Sequence, residues 1–152
     1  MSSEPTLIAN PAKEILKSGG PLFGFNVFES LRPSVVKIVA QAGYNLLLIE
    51  NEHVVHNDET LTNFLVMARD NGLSPTVTVL VPDRPFVSRV LDAGALGVCL
   101  SHADTPDQVD DLVRWMKYAP VGERGLALGA NAEYVGTDVA RYCEEANAAT
   151  LL

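Results

Sequence analysis

The stretch Leu46-Leu47-Leu48-Ile49-Glu50-Asn51-Glu52-His53 decides the fold, because four apolar residues are followed at once by two carboxylates and an imidazole. An apolar run this short, with Gly43 before it and polar residues after it, is typical of a strand buried on both faces. In parallel α/β sheets, ligands bind at the carboxyl ends of such strands. Glu50 and His53 are therefore a candidate catalytic pair. The alternative is an ordinary loop in which Glu52 or His53 caps the next helix.

A repeated order of strand and helix surrounds this segment. Apolar runs predict strands at 21–28, 46–49, 76–81 and 97–100. Residues that favour helix starts precede five amphipathic patterns: Asn10-Pro11, Pro33, Asn57, Asp83 and Thr105-Pro106. Successive strand-then-helix units require parallel strands joined by right-handed crossovers, which defines the α/β class.

The last part of the chain continues this pattern less regularly. Residues 125–130 are either a loop or an extra strand, and 138–148 fit a further helix with Val139, Tyr142, Cys143 and Ala146 facing inward. Residues 149–152 are typical of the start of another buried strand. A closed (β/α)₈ barrel takes about 250 residues. The 152 residues therefore predict one domain, the N-terminal part of a partial TIM-type barrel with its first four to five βα units.

The composition excludes several classes of partner. Lys and Arg number 11 against 19 Asp and Glu, a net charge of -8, so we expect no nucleic-acid binding. We find neither a secretion signal at the start nor an apolar window approaching the roughly 20 residues of a membrane span. Cys99 and Cys143 fit the pattern of small buried side chains in a reducing compartment. We therefore expect a cytoplasmic chain that acts on small molecules, with no membrane partner.

Four motifs occur in a fixed order along the chain. They are Glu50-Asn51-Glu52-His53, Leu91-Asp92-Ala93-Gly94-Ala95, His102, and the run Lys-Tyr-Ala-Pro-Val-Gly-Glu-Arg-Gly at 117–125. Their order and spacing, over roughly residues 10–152, resemble the HpcH/HpaI aldolases. These are metal-dependent (class II) enzymes that make and cleave 2-oxo acids with pyruvate as the enolate component. Glu50 stands where the family more usually has Asp.

The resemblance implies roles for individual residues. His53 would be the general base, because imidazole titrates near neutrality, and Glu50 would orient its ring and stabilise the imidazolium. Arg124 would be a cation of the pocket, while His102 and Thr78 fall at substrate-binding positions. The alternatives for Arg124 are surface ion pairs with Glu123 or Glu133.

Two departures from the family pattern stand out. The family usually has an Arg on strand three that binds the pyruvyl carboxylate and enolate, and this chain has Thr78 there, with Arg84 as a nearby candidate replacement. The family's metal ligands, a Glu after strand five and an Asp after strand six, would lie beyond Leu152. A divalent metal, Mg²⁺ or Mn²⁺, is thus expected for the complete family enzyme, whereas this chain completes no metal site and is expected to be truncated before the metal-binding half.

The resemblance implies a carbon-carbon lyase, an aldolase acting on 2-oxo acids, which works as a homo-oligomer. Two alternatives stay open. One is a catalytically inactive half-barrel, and the other is a doubly wound α/β domain that binds a small acid near His53, His102 and Thr78. His53 and His56 do not have the spacing of a zinc-binding helix, and His56 is expected near the cap of the next helix.

Overall fold

The computed structural model describes residues 6–80, 83–134 and 138–152. Strands and helices alternate along most of the chain. In order, the elements are α1 (Pro11–Lys17), β1 (Gly24–Val27), α2 (Pro33–Gln41), β2 (Leu46–Ile49), α3 (Asp58–Asp70), β3 (Ser74–Val79), α4 (Arg84–Asp92), β4 (Gly97–Leu100), α5 (Pro106–Met116), the one-turn 3-10 helix η1 (Ala130–Ala132) and α6 (Val139–Ala149).

The helices begin where their capping residues predict. The side chain of Asn57 accepts hydrogen bonds from two N–H groups of the first turn of α3, and the side chain of Asp83 accepts one in α4. Asp138 does the same for α6, which starts at Val139. Gly72 follows α3 with a φ of +73°, a left-handed conformation that glycine adopts without steric cost.

The four strands form one parallel sheet in the order β1-β2-β3-β4. Side chains of β2 alternate in burial: Leu47 and Ile49 are fully buried against the helices, whereas Leu46 and Leu48 are only half-buried on the other face. All six residues of β3 are buried, as a central strand requires. The predicted α/β class is confirmed.

A fifth chain segment begins to extend the sheet. The backbone N–H of Leu151 donates to Leu96 O at 3.0 Å, and that of Val98 donates to Leu151 O at 3.1 Å. Leu151 thus pairs in parallel with Gly97 at the start of β4. Of the strand start predicted at 149–152, only Leu151 pairs with the sheet, because Ala149 is the last residue of α6 and Thr150 is its C-cap. On the far side of the sheet, β1 is the edge strand.

Several predicted boundaries need correction. Strand three starts at Ser74 rather than at residue 76 and ends at Val79, while the predicted end at residue 81 lies outside the described residues. Residues 125–130 contain no strand. Val139, predicted to face inward, is 44% exposed because it occupies the first turn of α6.

Among the described residues, no helix combines the length and apolar character needed to cross a bilayer.

Candidate functional site

Glu50 is the first residue after β2 and lies buried at the carboxyl edge of the sheet. Its carboxylate accepts hydrogen bonds from the backbone N–H of Glu52 at 2.5 Å and from that of His53 at 3.0 and 3.2 Å. The side chain therefore closes a tight turn of its own loop. We expected Glu50 to hold the imidazole of His53, but it holds the main chain of that residue instead.

Thr78 supports the same loop from the neighbouring strand. Its hydroxyl accepts a hydrogen bond from the backbone N–H of Asn51 at 2.6 Å and lies 3.4 Å from Ile49 O, to which it donates. The side chain is 7% exposed, and the register places it beside Cys99 of β4. Thr78 lies where the sequence predicts, beside the candidate site, with its hydroxyl engaged by the protein backbone.

Glu52 joins the loop after β2 to the loop after β4. Its Oε1 lies 2.8 Å from Nε2 of His102, and this carboxylate side chain is 17% exposed. A hydrogen bond from the Ser101 side chain, reinforced by the imidazole of His102, holds the pKa of Glu52 below its ordinary value although desolvation raises it. His102 adopts a φ of +55°, so this part of the loop is sterically unusual.

The imidazoles of His53 and His56 have different surroundings. His53 is exposed, and within the described residues its ring has no hydrogen-bond partner. Nε2 of His56 donates to the backbone oxygen of Glu50 at 2.8 Å, which fastens the far end of the loop. The loop is thus fixed at both ends while the ring of His53 stays open to solvent.

Arg124 is not part of this site, and its predicted role as a pocket cation is corrected. Its guanidinium donates to Asp92 Oδ1 at 2.7 Å and lies 4.6 Å from the centre of the Tyr118 ring. Asp92 is the last residue of α4, shortly before β4 begins, so this ion pair lies at the amino edge of the sheet. The Arg124 side chain is 3% exposed, which also excludes the predicted surface pairs.

Glu123 and Glu133, the predicted surface partners of Arg124, pair with other residues. Glu133 binds Arg69 at 2.5 Å, and Glu123 lies 3.9 Å from Arg114. Arg84, the candidate replacement for the missing strand-three arginine, donates to the backbone oxygen of Glu123 at 3.0 Å. The Arg84 guanidinium is therefore hydrogen-bonded to the protein away from the loop of His53.

The chain as described does not fit a divalent metal ion. Within residues 6–80, 83–134 and 138–152, no group of three or more His, Cys, Asp or Glu side chains is placed to hold one. The carboxylate of Glu50 is engaged by backbone N–H groups, and that of Glu52 by His102. Mg²⁺ needs one or two free, well-placed carboxylates in addition to its waters.

The link between Glu52 and His102 is the feature that sequence reasoning missed. β2 and β4 are separated by β3, about 9–10 Å across two strand spacings. Two side chains as long as Glu and His can meet over that distance. A carboxylate and an imidazole that follow alternate strands are the signal that could have indicated the contact.

Comparisons with known proteins agree on the type of molecule. No family model matches the chain. It is 32% identical over 120 residues to 2-keto-3-deoxy-L-rhamnonate aldolase of Escherichia coli, a match that covers 79% of this chain and 45% of that protein. It is 31% identical over 123 residues to hydroxypyruvate/pyruvate aldolase of Delftia acidovorans, covering 81% and 45%. The chain thus spans about half the length of the curated relatives it matches.

Solved structures support the same assignment. The HpcH/HpaI aldolase of Desulfitobacterium hafniense superposes with a TM-score of 0.89 at 27% identity, covering 94% of this chain and 56% of that one. An HpcH/HpaI aldolase/citrate lyase family protein of Burkholderia cenocepacia gives 0.78 at 28% identity, covering 94% and 58%. Fold and site thus define an α/β chain of the TIM-barrel type, with its candidate site at the carboxyl edge of the sheet. The chain is thus similar, over about half of their length, to proteins of the HpcH/HpaI aldolase family.

Proposed function

We propose that this chain supplies the base-bearing side of an aldolase site that cleaves and forms 2-oxo acids, with pyruvate as the enolate component. The observation that carries the proposal is the arrangement of His53. Its main chain is fixed by the buried carboxylate of Glu50, while its ring is open at the carboxyl edge of a parallel sheet. A fixed but accessible imidazole is what a general base at this edge requires.

The proposed aldol cleavage consists of a proton transfer and the transfer of an electron pair. In the cleavage direction, His53 takes the proton of the hydroxyl next to the breaking carbon-carbon bond. The oxygen becomes the carbonyl oxygen of the aldehyde product, and the electron pair of the broken bond passes to the pyruvate enolate. Glu50 acts through the main chain, because its hydrogen bonds set the position of the His53 backbone.

A divalent ion, Mg²⁺ or Mn²⁺, would polarise the 2-oxo group in such a reaction. The described residues do not fit it, so we propose that its carboxylate ligands come from polypeptide outside this sequence. The isolated chain should then bind Mg²⁺ and Mn²⁺ only weakly and show no aldolase turnover. Calorimetric titration checks this, and micromolar binding with chelator-sensitive turnover would contradict it.

We also propose the setting in which the chain works. It would form the N-terminal part of a larger barrel, in a homo-oligomer, with a small 2-oxo acid as its ligand. Two free, half-buried cysteines are consistent with the cytoplasm as a reducing compartment.

One observation favours the rival function of an inactive, acid-binding half-barrel. The resemblance places Thr78 where the family has its arginine, and the Thr78 hydroxyl accepts a hydrogen bond from the backbone N–H of Asn51. Without an arginine at that position, the enolate charge that develops during cleavage lacks the cation that the family pattern supplies. On this alternative, the chain would bind pyruvate but would not cleave a larger substrate to produce it.

A chimaera separates the two functions. The matching half of the Escherichia coli 2-keto-3-deoxy-L-rhamnonate aldolase is replaced by this chain, and pyruvate release from 2-keto-3-deoxy-L-rhamnonate is measured with Mg²⁺ present. We expect turnover, and a decrease in kcat of about 10²–10⁴ for His53→Ala, the usual effect of losing a general base.

The matched control is Val55→Ala. Val55 is in the same loop and 99% exposed, so its loss should leave the rate unchanged. Full activity in His53→Ala would end the assignment of this residue as the base. Pyruvate binding without any turnover would favour the acid-binding alternative.

A further inference from the structure

Glu52 and His102 form the carboxylate–imidazole pair that the sequence assigned to Glu50 and His53. Oε1 of Glu52 lies 2.8 Å from Nε2 of His102, whereas the carboxylate of Glu50 binds backbone N–H groups. The two partners follow β2 and β4, so the pair connects the loops of two strands that are not neighbours in the sheet. His102 therefore has an anchored ring, while the ring of His53 has no hydrogen-bond partner among the described residues.

The chemistry of the carboxylate decides which ring nitrogen carries the proton. An ionised carboxylate can only accept hydrogen bonds. The lowered pKa of Glu52, caused first by the Ser101 side chain and then by His102, keeps this group ionised near neutrality. Nε2 of His102 must then be the protonated nitrogen, and in the neutral ring Nδ1 carries the free lone pair.

We propose that Glu52 is a positioning residue that fixes His102 in its Nε2–H tautomer, and that Nδ1 of His102 is a second proton-transfer atom of the site. This inference rests on the proposed aldolase function for its catalytic part. The His102 side chain is 74% exposed, so Nδ1 is accessible to a ligand or to water. Within the described part of the chain, Nδ1 has no hydrogen-bond partner.

Aldol cleavage needs two proton transfers, and the two imidazoles can divide them. His53 accepts the proton of the substrate hydroxyl as the carbon-carbon bond breaks. The proton then passes through water from His53 to Nδ1 of His102, which gives it to the methylene carbon of the enolate. That carbon becomes the methyl group of pyruvate, and both imidazoles are neutral again. Throughout, Nε2–H donates to Glu52, whose carboxylate stays ionised and stabilises the imidazolium.

Among the described residues, the side chains that interact with the Glu52 carboxylate come from two loops. Ser101 and His102 face it from the loop after β4, and His53 acts on it electrostatically from its own loop. The left-handed conformation of His102 fits this arrangement, because such a backbone persists only where surrounding contacts hold it.

Ring-nitrogen NMR spectra of the full 152-residue chain test the pair without any turnover. We expect a single His102 tautomer with Nε2 protonated, and a mixture of the two tautomers in Glu52→Gln. Ser101→Ala keeps the carboxylate and should retain the single tautomer. The matched control is Glu59→Gln, an exposed residue of the first turn of α3 whose side chain makes no hydrogen bond or ion pair with the described residues. Protonation at Nδ1, or a Glu52→Gln spectrum identical to that of the parent chain, would overturn the inference.

The catalytic part is tested in the chimaera. Glu52→Gln should lower kcat about 10-fold or more with little change in KM, because it acts on proton transfer and not on binding. Equal kcat in Glu52→Gln and Glu59→Gln would refute the role of His102. A chimaera that releases no pyruvate, while His102 holds the expected tautomer, would instead be a failure of the proposed function.

Discussion

At the scale of single residues, Glu50 shows how a buried carboxylate can shape a loop. It is 6% exposed, and both of its oxygens accept backbone N–H groups. Hydrogen bonds to a charged group contribute more than neutral ones, and a buried N–H left without an acceptor is costly. The orientation of His53 therefore depends on Glu50 through the main chain.

Glu50→Gln should lower the free energy of unfolding by about 1.5–3 kcal/mol, since the amide replaces a charged acceptor with a weaker one and a donor. Urea denaturation measures the loss, and amide hydrogen exchange should quicken at Glu52 and His53. Glu59→Gln is the exposed control and should change stability little. An unchanged exchange rate at both amides would show that Glu50 does not hold the loop.

Arg124 shows where residue-level reasoning from sequence stops. Arg124 lies in the long connection between α5 and α6, from which its side chain could reach either edge of the sheet. The motif at 117–125 alone does not indicate which edge. The structure pairs it with Asp92, which lies 32 positions away in the sequence. That contact depends on the packing of the 117–125 segment against α4 and α5, which local pattern does not encode.

Asp92→Ala should destabilise the chain by about 3–5 kcal/mol, because it leaves a buried guanidinium without its counter-ion. Arg124→Met alone should also destabilise, but combining the two changes should cost less than their sum. A double-mutant cycle by chemical denaturation measures this coupling. Strictly additive losses would contradict the buried ion pair.

At the scale of elements, helix starts are the most predictable features of this chain. Asn57 and Asp83 cap the helices that the sequence assigns to them, because short polar side chains satisfy the free N–H groups locally. Asp138, predicted as the first residue of its helix, is the cap of α6. The carboxyl edge of the sheet is equally predictable, since four parallel strands must all end there. The contact between Glu52 and His102 is less so, because it needs the strand order.

Lys117, which binds the carboxyl end of α6, makes the free energy of unfolding depend on pH. Lys117 donates to the backbone oxygens of Asn147 and Thr150, and burial, with Lys13 and Arg124 nearby, lowers its pKa from 10.5 to about 8. Between pH 8 and 10.5 the folded chain then binds fewer protons than the unfolded one, so the free energy of unfolding rises with pH.

Two tyrosines limit the pH range over which the free energy of unfolding rises. Burial raises the pKa of Tyr118 and of Tyr142 above the ordinary 10.0, so only the unfolded chain ionises them readily. Stability should therefore increase from about pH 8 to about pH 10 and turn down above it. Urea midpoints across this range test the prediction, and Lys117→Met should remove the increase. A midpoint that falls steadily from pH 8 would contradict it.

At the scale of the whole molecule, the described sheet is open at both edges, because β4 meets only the single residue Leu151 on its outer side. β1 has a neighbour on one side only, and three phenylalanines in and beside it are exposed: Phe23 at 58%, Phe25 at 37% and Phe28 at 46%. Unpaired strands with apolar side chains invite pairing with another chain. Chain length and strand count predict such open edges, because parallel strands close into a barrel only when a full set is present.

The isolated chain should therefore self-associate or be only marginally stable. Phe23→Lys should weaken association, since a charge on an edge strand opposes pairing. Ile38→Lys, at a position 64% exposed on α2, is the matched control and should not. Sedimentation over a range of concentrations measures the effect. A sharp, monomeric and cooperative unfolding transition at low concentration would contradict the open-edge account.

We propose that a 2-oxo acid binds at the carboxyl edge of the sheet. Titration of the labelled 152-residue chain with pyruvate, followed by amide chemical shifts, tests it most directly. The account predicts changes at residues 50–53 and at Thr78, Ser101 and His102, with none at Asp92, Tyr118 or Arg124. Changes confined to those last three residues, at the amino edge, or no saturable change anywhere in the chain, would contradict it.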